Sequence, residues 1–268
     1  MGRLVGKRAV ILGASSADNM GQHIARRFLA EGAQVLVAGR KVEVLQAFAR
    51  ESGCLWAACD ITDEGSVTAL ADTAAGQLGG IDVAVNATGW GLLKPFLETT
   101  HQELLEMTAL QFIGPYHFYQ AMIGKMARGS GGQGGSIIQI SSATASIMFH
   151  DHAAYMGTKA GTDHVIRCVA NEFGGEGIRA NSLSPGVTET PMTADAQQVP
   201  GLMDSFIGGY PLGRYGTSDD VAAAAVFLAS DECFMTGENL QVNGGLTLRR
   251  NPRKDEIEAA VAKAMGEG

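Results

Sequence analysis

Short β-branched or apolar runs alternate with longer stretches of helical periodicity along nearly the whole chain. RAVIL precedes a helical pattern at 21–31, AQVLVA one at 41–51, CLWAA one at 64–78 and DVAVN one at 101–127. SIIQIS precedes 153–173, after which come IRANSLS, an irregular stretch, a helix near 218–229 and NLQVN. Strands that are apolar along their whole length must be buried on both faces, and a parallel sheet between two layers of helices achieves this. The expected fold class is α/β: a single-domain doubly wound parallel sheet over residues 1–248, with helices on both faces.

Composition agrees with one domain and narrows its partners. The chain has 268 residues, 46% hydrophobic and 18% charged, enough to bury a sizeable core. A net charge of −8 and a pI near 5.2 argue against a basic footprint for nucleic acid or an anionic membrane, so an anionic ligand needs a local positive site. The start, MGRLVGKRAVILG, holds too short an apolar run for a signal-peptide core, and no segment approaches the roughly 18 apolar residues of a membrane helix. A cytoplasmic location is expected. Cys54, Cys59, Cys168 and Cys233 form no CxxC pair, so buried free thiols are expected in place of a disulfide framework or zinc site. GSGGQGG at 129–135 reads as a flexible turn. The last segment, 249–268, is charged and sets Ile257, Val261 and Ala264 at helical spacing. It reads as an appended amphipathic helix packed on a neighbouring subunit, or as a solvated tail.

In an open parallel sheet, ligands sit beyond the carboxyl ends of the strands, so the turns there carry the function. The first is GASSADNMG, whose Gly13, Ser15, Ser16, Met20 and Gly21 are candidate contacts for a pyrophosphate at a helix N-terminus. The turn is longer than the usual compact glycine loop; Asn19 stands at a middle-glycine position, and Asp18 is expected to cap the helix or a turn. The second strand ends VLVAGRK, with Gly39, Arg40 and Lys41 where an NAD site places a carboxylate. A guanidinium suits a 2′-phosphate, so NADP(H) is the preferred cofactor, with NAD(H) as the alternative. Asp60 and Ile61 in CDITD are candidates for the adenine, or turn formers, and Asn86, Ala87 and Gly89 in VNATG bring backbone close to the ligand at the sheet centre.

Within AAYMGTKAG, Tyr155 and Lys159 lie at i and i+4, on one helix face. A free phenol titrates near 10, and a neighbouring ammonium favours its ionised form; two to three units of depression correspond to roughly 3–4 kcal/mol. The pair is thus expected to act as a proton donor and acceptor near neutrality. Ser142 ends SIIQISS, thirteen residues before the tyrosine, and can donate to a substrate oxygen at the same sheet edge.

Over about residues 5–248 the chain resembles the classical short-chain dehydrogenase/reductase family, with a Rossmann-like fold. GASSADNMG, NATG, ISS, YMGTK, NSLSPGVTET and TGENLQVNGG carry the resemblance, in order and at near-family spacing. It implies hydride transfer between a nicotinamide and a carbinol or carbonyl carbon. Tyr155 would be the general acid/base, Ser142 the substrate-orienting donor, and Lys159 both the cation beside the phenol and a ligand of the nicotinamide ribose. Pro185, Gly186 and Thr188 would line the nicotinamide, and a homo-oligomer, tetramer or dimer, is implied. Two further departures are NATG in place of NNAG and Gln111 at the position of the proton-relay asparagine.

Residues 189–214 form the expected substrate lid. Met192 and Phe206, with Trp90 and Phe149 opposite, suggest an apolar pocket for a small hydrophobic molecule, a cyclic or aromatic ketone or secondary alcohol. A 3-oxoacyl-carrier reductase is the second reading, and a non-catalytic nucleotide-binding regulator on the same fold is the third. His150, Asp151 and His152 have the residue types of a metal site but the spacing of a loop, and are expected to line the cleft; no metal is expected.

Overall fold

The computed structural model describes residues 2–266, apart from the side chain of Met192. The first half runs β1 (Arg8–Leu12), α1 (Met20–Ala30), β2 (Gln34–Gly39), α2 (Val42–Ser52), β3 (Leu55–Ala58), α3 (Glu64–Leu78), β4 (Val83–Asn86), α4 (His101–Thr108), a π-helical turn (Ala109–Ile113), α5 (Gly114–Met126) and β5 (Gly135–Ile140). The second half runs α6 (Ala153–Phe173), β6 (Ile178–Pro185), β7 (Thr188–Glu189), α7 (Ala194–Gln197), α8 (Leu202–Ile207), β8 (Gly216–Thr217), α9 (Ser218–Ala229), β9 (Asn239–Val242) and α10 (Lys254–Met265). Seven strands form one sheet in the order β3-β2-β1-β4-β5-β6-β9, and every pairing in it is parallel. β7 and β8 pair separately. The expected doubly wound α/β fold is the one observed.

Alternation within the strands builds two cores. Ile11, Val37, Val85 and Ile138 face one layer, where α1 and α9 bury Ile24, Phe28, Val221 and Val226. Val10, Leu36, Ala84 and Ile137 face the other, where α3 and α5 bury Val67, Leu70, Phe118 and Met122. Each fully buried Leu, Ile or Phe contributes roughly 1.5–3 kcal/mol relative to exposure, so both faces hold the sheet.

The helix expected over 101–127 is interrupted. Pro115 has no N–H to donate, and Gly114 lies so close to the Ile61 carbonyl that a Cβ would come within 2.5 Å, so the chain widens to π geometry just before it. The C-terminal segment forms a helix, one side of which packs on its own chain: α10 lies against α8, and Ile257 packs on the cluster of Phe206, Tyr210 and Leu246. Of the cysteines expected to be buried, Cys168 is exposed, because its position on α6 faces outward. No helix among the described residues is long and apolar enough to cross a membrane.

Candidate active site

Strand register brings the candidate residues to one edge. Leu12 pairs with Ala38 and Asn86, Asn86 with Gln139, and Ile140 with Leu183, so the turns after β1, β2, β4, β5 and β6 leave at the same level. The strand order reverses between β1 and β4, and a crevice opens at such a point. Gly13 follows β1 at φ 110°, and a Cβ there would come within 2.6 Å of the Ala87 backbone. A Cβ on Gly21 would come within 2.6 Å of the Gly13 carbonyl. Two glycines thus let three backbone segments close around the N-terminus of α1, a cradle with the shape and polarity for a pyrophosphate. The cap of α1 is Asn19, which accepts from Gln22 N at 3.1 Å and donates to the Gly13 carbonyl at 2.8 Å. Asp18, expected as the cap, turns outward at φ 57° and pairs with Arg26 at 2.9 Å and His23 at 3.2 Å, since the cation-bearing face of α1 draws its carboxylate away. Ser16 and Met20 are half-buried in the same turn.

After β2, a Cβ on Gly39 would coincide with Ser15 Oγ. The Ser15 hydroxyl takes that space and accepts from Lys41 N at 3.3 Å, while the side chains of Arg40 and Lys41 are exposed. Asp60 accepts from Thr62 N at 3.0 Å and Thr62 Oγ1 at 2.8 Å. Burial pushes its carboxyl up, but donation from Thr62 and the charge of Arg40 outweigh this and hold it below its ordinary range. Ile61 is buried beneath α5. Asn86 donates to Gln139 at 2.9 Å and accepts from Thr88, fixing the turn that carries Ala87 and Gly89.

Ser142, Tyr155 and Lys159 converge at this edge. Ser142 caps a short turn, accepting from Thr144 N at 3.2 Å and sharing a hydrogen bond with Thr144 Oγ1 at 2.8 Å, and its hydroxyl lies close enough to the Tyr155 phenol to favour the ionised form. Lys159 is 3% exposed; its Nζ lies 5.6 Å from the centroid of the Tyr155 ring and donates to the Ile140 carbonyl at 2.8 Å. The expected depression of the phenol is not what this arrangement gives. Burial raises Tyr155 and the Asp163 charge adds to the rise, with only the nearby Ser142 hydroxyl opposing. Burial likewise lowers the Lys159 amine to about 8, against the charge of Asp163. Desolvation outweighs pairing because both groups lie inside and the amine faces a neutral carbonyl.

Gln111 reaches the same point from the π turn. Its Oε1 accepts from Trp90 N at 3.2 Å and its Nε2 donates to Thr158 Oγ1 at 3.1 Å. A Cβ on Gly89 would stand 3.2 Å from Gln111 Oε1 and 3.7 Å from Lys159 Nζ, so glycine keeps that approach open. His152 stacks on the Tyr155 ring with centroids 4.3 Å apart, its Nδ1 bonded to the Leu92 carbonyl at 2.7 Å. Asp151 instead pairs with Lys254 at 3.2 Å, and His150 is exposed, so the three residues part company.

Of the substrate candidates, Phe149 and Phe206 meet, with ring centroids 5.6 Å apart, and Trp90 is half-buried on the loop after β4. Phe206 is buried in the core of the lid itself. The side chain of Met192 lies outside the described residues. Pro185, Gly186 and Thr188 stand at the end of β6 and the start of β7. The turn they form is held by Tyr210, whose hydroxyl accepts from Val187 N at 2.7 Å and whose ring fills the space a Cβ on Gly186 would need. Sequence reasoning missed Tyr210 and Asp163. The i+4 spacing of Asp163 from Lys159 was a visible signal; nothing marked Tyr210.

A glycine cradle at the switch point of a parallel sheet, beside a serine, a tyrosine and a buried lysine, defines a nucleotide-dependent oxidoreductase site. Comparison with known proteins narrows this class. Residues 13–247 match the family model described as enoyl-(acyl carrier protein) reductase. The chain is 35% identical over 253 residues to D-threitol dehydrogenase of Mycolicibacterium smegmatis, covering 92% of this chain and 95% of that one. It is 32% identical to the mitochondrial borneol dehydrogenase of Lavandula x intermedia, covering 92% of each. A short-chain type dehydrogenase/reductase from Mycobacterium ulcerans superposes with a TM-score of 0.88 at 27% identity, over 95% of this chain and 98% of that one. This protein belongs to the classical short-chain dehydrogenase/reductase family, and is an oxidoreductase acting on CH–OH and C=O groups.

Proposed function

We propose that the protein interconverts a hydrophobic, cyclic secondary alcohol and its ketone with NADP(H), using Tyr155 as the general acid/base. The observation that carries this reading is the convergence of Ser142, Tyr155 and the buried Lys159 amine, 5.6 Å from the tyrosine ring, at the edge where Gly13, Gly21 and Gly89 leave room for a dinucleotide. When bound, the nicotinamide nucleotide supplies hydride exchange with the carbinol carbon. Gly13 and Gly21 would hold its pyrophosphate, Arg40 and Ser15 the 2′-phosphate, Lys159 the nicotinamide ribose, and Pro185, Gly186 and Thr188 the nicotinamide. Ser142 donates to the substrate oxygen and orients it, and Tyr155 accepts the alcohol proton in oxidation or returns it in reduction. Gln111, bonded to Trp90 N and Thr158, fixes the loop over Lys159 as a positioning residue.

Residues 189–214 act as the lid in this reading, with α10 clamped to α8 as its support. Trp90 and Phe149 supply apolar walls, and the relatives named for threitol and borneol favour a secondary alcohol as substrate. Exposed Leu104, Leu105, Ile113 and Tyr116 on α4, the π turn and α5 favour a homo-oligomer, which light scattering would report as a dimer or tetramer mass.

The test mixes purified protein with NADP or NADPH and a panel of polyols, cyclic alcohols, bulky ketones and a 3-oxoacyl thioester, following absorbance of the reduced cofactor. Cyclic alcohols and bulky ketones are expected to turn over best, and Tyr155→Phe to lose about 10²–10⁴-fold in kcat. Full turnover by Tyr155→Phe, or preference for the thioester, refutes the reading.

A further inference from the structure

Asp163 lies one helical turn beyond Lys159 on α6, and neither the fold nor the reaction described above accounts for it. Its Oδ2 accepts from Ser141 Oγ at 2.7 Å and from Asn239 Nδ2 at 2.6 Å, while Oδ1 is enclosed with no hydrogen-bond partner. Burial raises the Asp163 carboxyl above its ordinary range, opposed by the enclosed Ser182 hydroxyl, which faces it from outside hydrogen-bond geometry, by Ser141, by the Lys159 charge and by Asn239. Ser141 stands between Ile140, whose carbonyl takes the Lys159 amine, and Ser142. One carboxylate therefore ties α6 to the end of β5 that carries both Ser142 and the Lys159 acceptor, and to β9.

An amide could make the same two hydrogen bonds, so these contacts do not explain why the residue is acidic. Charge does. Among the described residues Lys159 Nζ has one hydrogen-bond partner, a neutral carbonyl, and a buried ammonium with no counter-charge is strongly disfavoured. Asp163, enclosed one helical turn further along α6 though not in direct ion-pair contact with the amine, places a negative charge on the same buried side and raises the affinity of the amine for its proton.

We propose that Asp163 is a positioning residue, the buried counter-charge that holds Lys159 as an ammonium and locks α6 to the Ser142 end of β5. The catalytic consequence rests on the reading of Tyr155, Lys159 and Ser142 given above; the charge pairing itself does not. Other titratable groups face Asp163. Its charge raises the phenols of Tyr119 and Tyr155, and His164, Arg167 and Glu238 line a cavity of about 220 Å³ on its solvent side.

The test is NMR of the cofactor-free protein with labelled lysine Cε and aspartate Cγ, Lys159 being assigned by its loss in Lys159→Arg. In the wild type Lys159 is expected to titrate near 8. In Asp163→Asn, which keeps an acceptor, the midpoint is expected to fall by about one unit, and in Asp163→Glu to return toward wild type. The alkaline limb of kcat/KM should move down with it, lowering activity at pH 8 about fivefold while cofactor binding holds. An unmoved midpoint in Asp163→Asn overturns the proposal, as does an equal drop in Ser141→Ala, which keeps the carboxylate. If Asp163→Asn does not fold, the wild-type Asp163 Cγ shift decides: an acid still protonated between pH 6 and 9 refutes the counter-charge, and an ionised one supports it. Absence of any dehydrogenase activity would remove the proposed function and leave the lysine titration to decide this one.

Discussion

Cofactor choice turns on the residues at the carboxyl end of β2, and Arg40→Asp tests it most sharply. A carboxylate at position 39 would have to displace the Ser15 hydroxyl that now fills the space beside Gly39, whereas residue 40 is exposed and free to bear charge. Arg40 is exposed and has no ion pair among the described residues, so its guanidinium is available to a 2′-phosphate. Losing a charge-assisted hydrogen bond costs about 1.5–3 kcal/mol. Placing a carboxylate roughly 5 Å from a phosphate at the surface adds about 1–2 kcal/mol of repulsion, less in salt. Together they predict a loss of about 10²–10³-fold in kcat/KM for NADPH. NADH carries no such phosphate, so its kcat/KM should change by no more than a few-fold, or rise as the new carboxylate accepts from the ribose. The assay is initial rates with both cofactors at fixed ketone and low ionic strength. A ratio of the two kcat/KM values within threefold of wild type would refute the argument. So would a wild type that already prefers NADH.

Other expected outcomes rest on local geometry. Ser142→Ala keeps the fold and loses the substrate donor, so kcat should fall by roughly 10–10³-fold with little change in cofactor binding, which separate titration of NADPH checks. Asp82 accepts from Arg8 N at 2.9 Å, Nε at 2.8 Å and Nη2 at 2.8 Å, joining the starts of β1 and β4. Asp82→Asn should cost about 2–3 kcal/mol and lower Tm by several degrees. Burial opposes ionisation of Asp82, but donation from Arg8 outweighs it and holds the carboxyl below its ordinary value. Its stabilisation is therefore present above the unfolded carboxyl pKa and fades as pH falls through the folded one. The gap between wild type and Asp82→Asn in urea melts should close between about pH 5 and pH 2, and a gap constant in pH would count against the ion pair.

What was legible in the chain divides by distance. Strands, helices and the shared edge followed from local patterns, because whole-strand apolarity dictates a covered parallel sheet and the sheet dictates where its turns emerge. Pro115 announced the break at 109–113 just as openly, yet an otherwise continuous apolar pattern hid it. The choice between Asp18 and Asn19 as cap lay beyond sequence, since either side chain can cap and only the arrival of Arg26 and His23 on one face decides. The sign of the Tyr155 shift was illegible for a stronger reason. Spacing on a helix shows that a phenol and an amine are neighbours, but whether the amine depresses the phenol depends on how dry both are and on what else is buried with them. That third party, Asp163, is four residues from Lys159 in the chain, yet one of its two hydrogen bonds comes from Asn239, brought alongside by β9 from 76 residues further on. A site whose residue types are fixed by local spacing thus has its protonation adjusted from the edge strand β9 as well. A change at Asn239, far from any reacting atom, should therefore move the titration of Lys159 through Asp163.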